Sequence, residues 1–74
     1  MRVSDVREIV QLAQVDPRLY SFESEQHDSL CLIPSGQSWH VFVSEKGNRH
    51  EEHSFPNEDE ACVYFLKRIL QLSR

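Results

Sequence analysis

Two histidines, His50 and His53, enclose two glutamates in the run HEEH. Imidazoles and carboxylates at close spacing are the side chains of zinc sites and of acid–base catalysis. The zinc-protease pattern, however, needs histidines four apart on a helix, where they share one face. Here they are three apart on a segment that reads as a strand, so they are expected on opposite faces. A structural zinc site takes four ligands, commonly with close cysteine pairs. Cys31 and Cys62 stand alone and far apart in sequence, each inside an apolar pattern. No metal site is expected, and both thiols read as small buried hydrophobes.

Nucleophilic catalysis asks for a serine or cysteine beside a base and an orienting group. Serines and histidines are present, but no nucleophile elbow frames them. His40 reads as a cross-strand residue. The chain has two glycines, Gly36 and Gly47, so neither a dinucleotide fingerprint nor a phosphate-cradling loop can be built. No catalytic residue and no cofactor is expected, and binding is favoured over catalysis.

The charge is more informative. Twelve acidic residues against eight basic ones give a net charge of −4. From Glu45 to Glu60 the acids are Glu45, Glu51, Glu52, Glu58, Asp59 and Glu60, opposed by Lys46 and Arg49. Phosphate neutralisation drives nucleic-acid binding, so this surface has the wrong sign for it. It suits a basic partner.

These residues must be positioned by a small number of elements. SDVREIVQLAQ reads as a helix, capped by Ser4 or Asp5, with Asp5 and Glu8 at capping-box spacing. Val6, Ile9, Val10 and Ala13 form its apolar face, and Asp16-Pro17 ends it. Tyr20 and Phe22 alternate with polar residues and suit an edge strand or an extended connection. SLCLIP is a strand with apolar residues on both faces. SWHVFVSE alternates most cleanly, with Trp39, Val41 and Val43 towards the core and His40, Phe42 and Ser44 on the outer face. Lys46-Gly47-Asn48 turns into a further strand, NRHEEHSF. The last helix is capped by Asn57 with Glu60 as box partner, while Glu58 and Asp59 meet the positive end of its dipole. Its stripe is Cys62, Phe65, Leu66, Ile69 and Leu70, with Lys67, Arg68 and Arg74 towards the negative end.

The expected fold is therefore one small α+β domain spanning residues 1–74. An antiparallel three- or four-stranded meander is flanked by an N-terminal and a C-terminal helix, in the order α-β-β-β-α. A chain this short buries about 60% of its unfolded surface, which leaves room for one modest core. The opening residues mix charges, and no apolar run approaches the length of a membrane span. A cytoplasmic protein with reduced thiols is expected, with no membrane partner. Covering one sheet face with two helices leaves the other open, and a partly apolar open face suits a protein partner or a second copy. The partner-binding residues expected from this reasoning are His40, Phe42, Glu45, Arg49, His50, Glu51, Glu52, Glu58 and Asp59. Phe42 would be the exposed anchor and the carboxylates its rim.

The run WHVFVSEKGNRHEEHSFPNEDEACVYFLKRIL resembles small bacterial immunity proteins encoded beside polymorphic or contact-dependent growth-inhibition toxins. The matching positions are Trp39, Val41, Ser44, Glu45, Gly47, Phe55, Glu58, Glu60, Ala61, Cys62 and Phe65. Lys46 departs from the usual arginine. The match covers roughly half of the chain and most of its positions are structural. What the resemblance implies is a stoichiometric inhibitor of a cognate protein toxin, acting in the producer's cytosol without catalysis. A toxin that attacks nucleic acids or nucleotides would present a basic cleft, which an acidic surface complements.

Overall fold

The computed structural model describes residues 1–22 and 24–72, so the expectation for Arg74 lies outside the described residues. Two helices cover one face of a four-stranded sheet. In chain order these are α1 (Val3–Leu12), β1 (Tyr20–Phe22), β2 (Ser29–Ser35), β3 (Ser38–Glu45), β4 (Asn48–Phe55) and α2 (Glu58–Leu72), with a short 3₁₀ turn at Pro17–Leu19 before β1. The sheet order follows the chain, β1-β2-β3-β4.

The α+β class, the two flanking helices and the core-facing side of β3 agree with the sequence. One strand pairing does not. β1 runs parallel to β2, with Tyr20 opposite Leu30 and Phe22 opposite Leu32, so the sheet is mixed and not a pure antiparallel meander. β1 is three residues long. The chain leaves it and doubles back across the sheet's outer face through Ser24–Asp28, then enters β2 in the direction of β1. This return needs no helix because the parallel pairing is so short. The two later pairings are antiparallel, as expected.

α1 begins at Val3, two residues after the chain's first, and not behind a Ser4 or Asp5 cap. Asp5 is instead the box partner: its carboxylate accepts the Arg2 N–H at 2.8 Å. The helix also ends before Asp16-Pro17. Gln14 takes a left-handed φ of 58°, the Gln14 N–H bonds to the Gln11 carbonyl, and the Val15 N–H reaches back to the Val10 carbonyl at 3.0 Å. These are the two bonds of a Schellman stop, closed by burial of both Val10 and Val15. α2 starts as read, with the Glu60 N–H donating to Asn57 Oδ1 at 2.9 Å.

The core lies between helices and sheet. Val6 and Val10 of α1 meet Ala61, Cys62, Phe65 and Ile69 of α2, above Leu30, Leu32 and Val41. Trp39, Val43, Phe22 and Phe55 pack around them. Each fully buried large side chain contributes about 1.5–3 kcal/mol, the dominant favourable term in a domain this small. Cys31 and Cys62 are free and fully buried, as small hydrophobes. Ala13 and Leu70 belong to the expected apolar stripes, but Ala13 is exposed at the helix end and Leu70 is 40% exposed. Among the described residues no helix is long and apolar enough to cross a membrane.

Candidate functional site

The outer sheet face and β4 carry most of the residues picked out by the sequence. Residues 48–54 of β4 are all exposed, and β4 is one edge of the sheet. β4 is not regular. Val41 lies opposite His53 and Val43 opposite His50, so two residues of β4, Glu51 and Glu52, face Phe42 alone. This bulge corrects the reading of HEEH. One extra residue restores the alternation, and His50 and His53 fall on the same face, the helix side. The His53 ring packs at a tilt against Tyr64 of α2, 5.0 Å between centroids. Glu51 adopts a left-handed φ of 53° at the bulge, and its carboxylate accepts from Arg68 Nη2 on α2 at 2.7 Å. That pairing holds the Glu51 carboxyl below the usual carboxylate range.

On the opposite face the bulge sends Glu52 towards β3. Glu52 Oε2 accepts from Arg49 Nη1 at 2.9 Å and lies 3.2 Å from His40 Nδ1. Arg49 also donates from Nε to Glu25 Oε1 at 3.2 Å. Its guanidinium lies over the Phe42 ring, 4.2 Å from the centroid, a cation–π contact. The Arg49 contact first, then His40, lowers the Glu52 pKa. His40, Phe42, Arg49 and Glu52 thus converge on one patch.

Phe42 does not play its expected part. It is 0% exposed. The segment Ser24–Asp28 forms a strap over this face. The Gln26 carbonyl accepts from Ser29 Oγ at 2.7 Å and lies 3.7 Å from Cys31 Sγ, and Ser21 Oγ donates to the Ser24 carbonyl at 2.7 Å. Cys31 faces Phe42 across β2 and β3. The pair forms a second, smaller buried cluster beneath the strap and Arg49, apart from the main core. This is why SLCLI is apolar on both faces: both are covered.

Glu58 and Asp59 lie elsewhere, where the two helix starts meet. Glu58 Oε2 accepts the Val3 N–H at 2.8 Å, and Asp59 Oδ1 takes the Met1 amine at 2.6 Å. Two carboxylates therefore serve the positive end of α1 from the first turn of α2. Of the six acids between Glu45 and Glu60, four are engaged within the chain. Among the described residues, Glu45 and Glu60 have no ion-pair partner. Glu60 gives only its N–H to the cap, and the reciprocal side-chain bond expected of a box is not formed.

Glu25 and Arg68 are the residues that sequence reasoning missed. Each pairs across a long separation, Glu25 with Arg49 and Arg68 with Glu51, and no local spacing signals either contact. No three of His, Cys, Asp and Glu among the described residues converge so as to hold a metal ion. In comparisons with known proteins, no family model, no curated protein and no solved structure matches this chain.

Proposed function

We propose that the chain is a cytosolic immunity protein that binds a cognate protein toxin stoichiometrically and has no catalytic role. The contact surface is the β3–β4 hairpin, β4 and the adjoining outer-face patch. The observation that carries this is β4: seven consecutive exposed residues, five of them ionisable, on one edge of a well-packed sheet. A bulge splits its side chains into two charged sets, Glu51 with Arg68 and Glu52 with Arg49 and His40. The Glu52–Arg49 pair is exposed, and such pairs are worth about 0–1 kcal/mol, so a partner can exchange it for its own at little cost. Glu45, at the hairpin, has no ion-pair partner among the described residues and is a carboxylate open to a basic cleft. Net charge of −4 adds long-range attraction to such a cleft. The hydrophobic anchor is not Phe42, which is internal.

A competing reading is a homodimeric structural or regulatory module built on an open outer sheet face. Its motive is weakened, because the strap and Arg49 close over the apolar residues of that face. Capture of the tagged protein from its native cells tests the immunity reading. One protein retained in equal amount, toxic when expressed alone and harmless beside this chain, is the expected result. Glu45→Lys should then slow association several-fold, most strongly at low salt. Recovery of no stoichiometric partner would overturn the reading.

A further inference from the structure

α2 carries a second surface, on the side away from the outer face. An open groove of about 390 Å³ lies along it, lined by Phe55 of β4 and by Asp59, Glu60, Val63, Tyr64 and Lys67. Tyr64 forms a fixed wall. Its ring packs, tilted, between Phe55 at 5.2 Å and His53 at 5.0 Å, and Arg68 Nη1 donates to its hydroxyl at 3.0 Å. Val63 is 40% exposed at the groove's middle. Glu60 and Lys67 mark its two ends.

These two charges have no ion-pair partner among the described residues, and helix geometry explains why. Ion pairs along a helix form at three or four residues' separation. Glu60 meets Val63 and Tyr64 at those positions. Lys67 meets Val63 and Tyr64 on one side, and Leu70 and Gln71 on the other. Glu60 and Lys67 are seven residues apart, about 10 Å along the axis, too far to pair with each other. The stripe is therefore acidic at one end, apolar in the middle and basic at the other.

A surface of that order is complementary to itself when reversed. We propose that α2 associates with α2 of a second copy of this chain, antiparallel about a two-fold axis between Val63 and Tyr64. Lys67 of each copy then lies between Asp59 and Glu60 of the other, and the Val63 side chains meet at the axis. Both charge contacts form at once, since a two-fold interface is isologous. One helix stripe makes a small interface, below the roughly 1,200 Å² of standard stable complexes, so association is weak and visible at high protein concentration. The groove reaches β4 only at its last residue, Phe55, and does not include the hairpin, so a dimer still offers both hairpins to a partner.

Sedimentation equilibrium of the purified protein alone tests this, independently of any toxin. Wild type should pass from monomer to dimer as concentration rises. Glu60→Lys and Lys67→Glu should each weaken association roughly tenfold, because symmetry turns both contacts repulsive together. The double variant Glu60→Lys/Lys67→Glu should restore most of it, since the swapped pair attracts again and only Asp59 stays opposed to the new carboxylate. Both positions are exposed, and thermal melts would confirm that each variant is folded. A monomer at every concentration would overturn the proposal and leave the groove to a different protein. A dimer indifferent to the single swaps, or single losses that the double swap does not repair, would overturn it equally.

Discussion

At the scale of single residues, type alone proved a poor guide to role, because burial and pairing decide it. Phe42 alternates with His40 and Ser44, which placed it correctly on the outer face and wrongly in solvent. Its ring is enclosed, so Phe42→Ala should act on stability. A loss of about 3–5 kcal/mol is expected, measured by urea denaturation, enough to unfold much of so small a domain. Asp16 shows the opposite case, a half-exposed residue with a definite local duty. It accepts the Arg18 N–H at 2.9 Å and the Arg18 guanidinium at 2.8 Å. The side-chain bond from Arg18 first, then the backbone bond, lowers the Asp16 carboxyl from 3.8 to about 2. A folded pKa below the unfolded one contributes stability that is complete above about 3.8 and is lost as pH falls through about 2. The stability difference between wild type and Asp16→Asn should accordingly be present at neutral pH and close in that acid range. An NMR titration of Asp16 with a midpoint near its ordinary value would contradict this.

At the scale of elements, periodicity found the helices and the strands of the hairpin, but not how they stop or which way they run. α1 ends at Gln14 in a conformation that costs non-glycine residues about 1–2 kcal/mol. Part of that cost is offset by the greater chain freedom of glycine when unfolded, so Gln14→Gly should stabilise the protein by about 0.5–1 kcal/mol in urea denaturation. Nothing in the sequence around Gln14 signals the stop, because the contact that fixes it is Val15 reaching the core. The strap was equally illegible. SEQHD, Ser24–Asp28, has the composition of a solvated loop, yet it covers Cys31 and Phe42, and its ionic tie, Glu25 to Arg49, spans 24 positions. The two buried cysteines give a direct readout of this element. Cys31 lies beneath the strap, while Cys62 lies in the main core with its thiol pushed up to about 11 by burial. Glu25→Gln combined with Arg49→Ala should speed thiol labelling of Cys31 and leave Cys62 protected. Equal acceleration of both would mean that the whole domain opens and that the strap has no independent motion.

At the scale of the whole molecule, the architecture was readable because a helix, a two-strand hairpin and a capped helix each declare themselves in local pattern. The parallel β1 and the charge network were not, because both depend on tertiary placement across many residues. The acid-rich run looked like a surface made for a partner. Much of it instead ties elements together: Glu51 joins β4 to α2, and Glu58 joins α2 to α1. The second tie is structurally the more consequential. α1 contributes only Val6 and Val10 as fully buried residues, so its own hydrophobic hold on the domain is small. The Glu58 carboxylate supplies a charge-assisted hydrogen bond to a backbone donor of its first turn, at 2.8 Å to the Val3 nitrogen. Such bonds contribute about 1.5–3 kcal/mol, more than an exposed ion pair. Glu58→Ala should therefore lower global stability by a similar amount, and it should do so unevenly. Amides of α1 should lose hydrogen-exchange protection first, while those of β2 and β3 keep theirs until the whole sheet unfolds. Glu58→Asp, too short to span the same gap, should resemble the alanine variant. Uniform loss of protection over the chain would show that α1 is held by its packing alone.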